Sequence, residues 1–114
     1  MKTELEDRTL EFALRIIRFV EAFPGSQAGR IVGQQLLKSA TSIGANYREA
    51  GRAESKDDFV HKIGIAEKEA AETEYWLLLC KRTPLGSAEI EQLLDESRQL
   101  TAILTAIGRK AKIR

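Results

Sequence analysis

The sequence predicts an all-α protein, an antiparallel up-and-down four-helix bundle, and three observations carry that expectation. Two proline-containing breaks, Phe23-Pro24-Gly25-Ser26 and Thr83-Pro84-Leu85-Gly86-Ser87, and a softer one from Gly51 to Ser55 divide the chain into four segments. Each segment is about 20 to 28 residues long with apolar residues at helical spacing. None shows the alternating β-branched pattern of a strand. With 114 residues, 43% hydrophobic and 31% charged, the chain fits one folded domain over residues 1–114, with no room for a second.

Start signals agree with the breaks. Thr3 with Glu6 and Ser55 with Asp58 have capping-box spacing, and Ser87 precedes Glu89 where a first turn is expected. In the first segment Glu4, Arg8, Glu11, Arg15 and Arg18 form a charged stripe, and Leu10, Ala13, Ile17 and Val20 form a core stripe on the far side. Phe12, Ile16, Phe19 and Phe23 add a further apolar stripe, widening the apolar arc to roughly half the circumference against a minimum of about 100° for one core face. That width implies burial on two sides, either in a deep core or by an aromatic edge that meets a second subunit.

The second segment carries Gln35, Ser39, Ser42, Asn46 and Glu49 at helical spacing, opposite Leu36, Ala40, Ile43 and Tyr47. A solvated face usually bears lysine and glutamate, so a stripe of amides and hydroxyls suits a close helix or subunit contact better than a ligand site. Ser39 to Ala45 is a poor helix former by propensity, which makes tertiary packing responsible for its helicity.

In the third segment Phe59, Ile63, Ala66, Ala70, Thr73 and Leu77 face the core. Beside them Ile65, Glu69, Glu72 and Trp76 share a face, so two carboxylates sit between large apolar groups and require a cation or an amide, with lysine, arginine, Gln35 or Asn46 as candidates. The fourth segment turns Ile90, Leu93, Leu94, Leu100, Leu104 and Ile107 inward and Glu91, Asp95, Arg98 and Gln99 outward. Past Gly108, Arg109-Lys110-Ala111-Lys112-Ile113-Arg114 reads first as a frayed basic tail and second as a phosphate contact.

Charge restricts function. Eighteen lysines and arginines against 17 acids leave a formal net charge of +1, so any nucleic-acid contact must be a local patch. The candidates are Arg48, Arg52, Lys56 and Lys62 around the second break, with Lys110 and Lys112 in the tail; Glu49, Glu54, Asp57 and Asp58 are interleaved among them. A charged N-terminus lacks the apolar core of a secretion signal, and no apolar run approaches the roughly 18 residues of a membrane span. With Cys80 as the one cysteine, a cytoplasmic protein without an internal disulfide is expected.

Catalysis is not expected, and no cofactor or metal is implied. Di-iron bundles need two Glu-x-x-His motifs, whereas the one histidine, His61, follows Asp58, and Glu69 and Glu72 have no histidine at that spacing. No Gly-rich phosphate loop or zinc spacing is present, and Cys80 and His61 lie about five helical turns apart.

Three stretches carry a family resemblance: Gln35-Leu36-Leu37-Lys38-Ser39-Ala40-Thr41-Ser42-Ile43-Gly44-Ala45-Asn46-Tyr47-Arg48-Glu49-Ala50, then Glu54 to Lys62, then Glu69-Ala70-Ala71-Glu72-Thr73-Glu74-Tyr75-Trp76-Leu77. The chain resembles the bacterial four-helix-bundle proteins encoded in intervening sequences of large-subunit ribosomal RNA genes. The resemblance implies an antiparallel bundle assembling into a ring-like homopentamer, most members having no assigned activity. The related accessory variability proteins of diversity-generating retroelements bind nucleic acid and a reverse transcriptase through positive surfaces, from which this nearly neutral chain departs. The expectation is therefore a non-catalytic homo-oligomeric binding protein contacting RNA or DNA through local basic patches. The alternative is a structural or protein-binding oligomer with no nucleic-acid role.

Overall fold

Three turns connect four antiparallel helices in a computed structural model that describes residues 4–113. Helix α1 spans Glu4–Glu21, α2 Gln27–Ala50, α3 Lys56–Lys81 and α4 Ile90–Ile113. The turns fall at the three breaks read from the sequence, and the caps explain why. The Ser26 side chain accepts the Gly29 N–H at 3.0 Å and opens α2. Ser55 does the same for the Asp58 N–H at 3.0 Å, while the Asp58 carboxylate reaches back to the Glu54 N–H at 3.3 Å. Before α4, the Ser87 hydroxyl accepts the Glu89 N–H and the Ser87 carbonyl accepts that of Ile90. The pair expected of Thr3 and Glu6 lies outside the described residues, which begin at Glu4.

The bundle is elongated, 46 × 22 × 19 Å, and its seams are unequal. Contacts of α3 with α2 and α4 are extensive, that of α1 with α2 is smaller, and that of α1 with α4 is the thinnest. The core runs through Leu36, Ala40 and Ile43 of α2, Ile63, Ala66, Ala70 and Leu77 of α3, and Leu93, Leu94, Leu100 and Leu104 of α4. These stripes are the ones expected, and each fully buried large aliphatic side chain contributes roughly 1.5–3 kcal/mol.

Helix α1 is rotated from its expected orientation. Phe12 is 1% exposed and Ile16 and Phe19 are buried, whereas Leu10 is 46% and Ile17 37% exposed. The aromatic stripe is therefore core rather than a subunit edge, and the stripe assigned to the core faces outward. Two partners, Glu96 on α4 and Glu89 in the turn that leads into it, fix this rotation. Arg8 donates from Nε and Nη2 to the two carboxylate oxygens of Glu96, both at 2.8 Å, and Arg15 lies 3.5 Å from Glu89. Holding the two arginines against α4 and the turn before it turns the phenylalanine side inward, and phenylalanine buries more area there than Leu10 or Ile17 would.

The tail is also corrected: α4 does not fray after Gly108 but continues helically to Ile113. Gly108 is buried with Ile63 against it, and Lys110 and Lys112 lie in the last turn, where positive charge complements the helix dipole.

Candidate functional site

The small polar stripe of α2 lies along α3, but only part of it bonds across the seam. Buried Ser39 and Thr73 share a hydroxyl hydrogen bond of 2.9 Å, and Glu49 accepts from Lys62 at 2.8 Å. Ser42 and Asn46 turn back on their own helix instead: the Ser42 hydroxyl donates to the Lys38 carbonyl at 2.7 Å and the Asn46 amide to the Ser42 carbonyl at 2.8 Å. Gln35 is half-buried beside them. No polar side-chain atom buried among the described residues lacks a hydrogen-bond partner, so the stripe offers a ligand no unsatisfied group.

Glu69, Glu72 and Trp76 are half-buried on one face of α3. The Trp76 indole N–H donates to the Glu72 carboxylate at 3.1 Å, so Glu72 is met by an indole on its own helix rather than by Gln35 or Asn46, while lysines act on Glu69. Desolvation, followed by repulsion from Glu72, raises the pKa of Glu69; Lys38 and Lys68 partly offset both. A carboxyl whose folded pKa is raised contributes stability that is full below its unfolded pKa and lost as pH rises through the folded value. Glu69→Gln is therefore expected to raise Tm at pH 7, with the gain shrinking as pH falls through the carboxylate range. Thermal unfolding of both forms across that range tests this, and an unchanged Tm at pH 7 would show that the desolvated carboxylate costs nothing.

The basic candidates converge. Arg48 lies in the last turn of α2, Arg52 in the following turn, and Lys56 and Lys62 in the first turns of α3. Lys110, with Ala111, shares a shallow depression with Phe59 and Ile107, which brings the end of α4 beside the start of α3. All six residues, Lys112 included, thus occupy one end of the bundle, and all but Lys62 are exposed. Lys62 is committed to Glu49, a bond that raises its pKa. Asp58 is held by the cap of α3, leaving Glu54 and Asp57 as exposed acids at this end.

One surface escaped the sequence reading. Leu10, Leu14 and Ile17 form an exposed apolar ridge on α1, 46%, 40% and 37% exposed. Between this ridge and Thr41, Ala45 and Arg48 of α2 runs an apolar groove of about 320 Å³. The i, i+4, i+7 spacing was legible, but it signals equally a core face and an open one.

Reactive groups are disposed differently. Burial pushes the Cys80 thiol up to about 11, so at neutral pH it is not a thiolate nucleophile, and His61 is exposed on a different part of α3. Among the described residues no group of three or more His, Cys, Asp or Glu is placed to hold a metal ion, and no helix is long and apolar enough to cross a membrane.

The family comparison matches residues 1–106 to the 23S rRNA-intervening sequence protein model. The chain belongs to that family. A crystal structure of a protein of unknown function from the S23 ribosomal protein family of Bacteroides thetaiotaomicron is similar at a TM-score of 0.83 and 42% identity, covering 90% of this chain and 96% of that one. No curated protein matches the chain. The region matched to the intervening-sequence family stops before Lys110 and Lys112, so those two lysines lie beyond the part the family model describes.

Proposed function

We propose that the protein is a non-catalytic, homo-oligomeric cytoplasmic adaptor whose basic end contacts the phosphate backbone of RNA or DNA. The observation that carries this reading is the gathering of Arg48, Arg52, Lys56, Lys62, Lys110 and Lys112 from two separate stretches of sequence at one end of a nearly neutral bundle. Clustered lysines and arginines release counterions from a phosphate backbone, a sequence-independent contribution that weakens steeply with salt. The nearby acids limit the field and make the contact one for low to moderate salt.

The test is binding of the purified protein to structured RNA and duplex DNA across a salt series. Arg52→Ala with Lys110→Ala and Lys112→Ala is expected to leave the helical content unchanged. It should also flatten the plot of log affinity against log salt by about 2–3 for duplex DNA, at roughly 0.9 per lost phosphate contact. Absence of binding by the unmodified protein at low salt would sink the nucleic-acid part of the reading. The apolar groove on α1 favours the second reading, a structural or protein-binding oligomer with no nucleic-acid role.

A further inference from the structure

We infer that the shallow depression between the start of α3 and the end of α4 holds one unpaired base of a single-stranded nucleic acid, stacked against Phe59 while the surrounding cations grip its phosphates. This inference rests on the basic-end reading proposed above and names the form of nucleic acid that this end takes. Phe59 of α3 and Ile107, Lys110 and Ala111 of α4 line a depression of about 200 Å³. Sites for drug-sized ligands occupy roughly 300–1,000 Å³, so this one suits a single planar ring. Its wall is set by packing before anything binds. Phe59 is half-buried and packs against the core, as does Ile107, and the buried Gly108 meets the Ile63 side chain and closes the α3–α4 seam next to the depression. An aromatic wall already in place costs little ordering when a ring stacks on it.

Charge selects a nucleotide over a purely apolar occupant. From Gln99 to Ile113 α4 contains no acid. Arg109, Lys110 and Lys112 are exposed there and make no ion pair among the described residues. On the α3 side Lys56 stands one helical turn before Phe59, and of the acids beside it Asp58 is held by the cap, leaving Asp57. An aromatic wall ringed by cations matches a flat ring joined to an anionic phosphate, the combination by which single strands are bound. A duplex keeps its base faces stacked inside and offers phosphates and groove edges, so it leaves Phe59 unused. None of the side chains lining the depression carries a hydroxyl, amide or carboxylate, so nothing there reads a base edge or a 2′-hydroxyl. The site therefore accepts RNA and DNA single strands alike and tolerates sequence.

The experiment compares binding of the full chain to RNA and DNA single strands of about ten nucleotides and to the matching duplexes, across a salt series. A purely electrostatic end favours the duplex, whose denser charge gives a slope of about 0.9 per phosphate contact against about 0.7 for a single strand. The expected result is tighter binding of both single strands. Phe59→Leu, which keeps an apolar side chain in the seam but removes the ring, is expected to weaken single-strand binding by about 5- to 30-fold, with the salt slope and duplex affinity unchanged. Phe59→Trp should retain the affinity, and its fluorescence should be quenched by the stacked base. Trp76, about 25 Å further along α3, supplies the background to subtract, and this second variant carries the test if Phe59→Leu unfolds. Tighter duplex binding, or single-strand affinity unchanged in Phe59→Leu with no quenching in Phe59→Trp, would overturn the stacking site and leave the basic end as a backbone contact. No binding of any strand at low salt would overturn both, and would leave the depression to the side chain of a protein partner.

Discussion

Replacing Phe12 with alanine is expected to lower the free energy of unfolding by about 3–5 kcal/mol, the range for removing a buried phenylalanine, whereas Leu10→Ala is expected to change it by only about 0.5 kcal/mol, as at a surface position. The contrast follows from the rotation of α1. Phe12 is fully enclosed in the core cluster with Ile16 and Phe19, and its loss leaves a cavity as well as a transfer cost. Leu10 keeps almost half of its surface in water, so truncation removes little that folding had gained. Denaturant unfolding of both variants at one fixed protein concentration measures the difference. Equal losses would mean that α1 is turned differently, with the leucine ridge sharing the core.

That rotation was not legible in the sequence, for a specific reason. Periodicity points a helix when one side is polar, and α1 has apolar residues over about half its circumference, so two orientations satisfied the pattern. What decides between them is the pairing of Arg8 with Glu96, 88 residues away, and of Arg15 with Glu89. Local signals fared better. The Ser55–Asp58 cap depends on three residues of separation, and the face shared by Glu72 and Trp76 depends on four; both were read correctly as placements. The polar stripe of α2 was an intermediate case. Its small uncharged composition announced packing, but a modest turn of the helix separates Ser39, which bonds across to Thr73, from Asn46, which bonds to its own backbone. Gly108 read as a helix stop because its low propensity is local, while the Ile63 side chain against it comes from α3. The basic end shows the same division: the residues were visible as candidates, and only the antiparallel topology joined the α2–α3 turn to the end of α4.

Gly44→Val carries the second large expected effect, a loss of roughly 1–3 kcal/mol from overpacking. A Cβ at position 44 would stand 2.8 Å from the Thr9 hydroxyl oxygen and 3.2 Å from the Thr9 Cβ. Thr9 cannot give way easily: it is fully buried, and its hydroxyl is bound to the Leu5 and Glu6 carbonyls of its own helix at 2.9 and 3.1 Å. Valine is a better helix residue than glycine by a few tenths of a kcal/mol, too little to offset the clash. Helix α1 must therefore move away from α2, and its thin contact with α4 offers little to hold it. Amide exchange should report this locality, with protection falling more along α1 than in α3 or α4. Gly64→Ala is the control, because a Cβ there meets nothing within 4 Å; it should gain up to about 1 kcal/mol from helix propensity. If Gly44→Val were as benign as that control, the close approach of α1 to α2 would not be what keeps Gly44 without a side chain. A uniform loss of protection across all four helices would instead show that α1 is integral to one cooperative unit, and that its seam with α4 is stronger than its few contacts suggest.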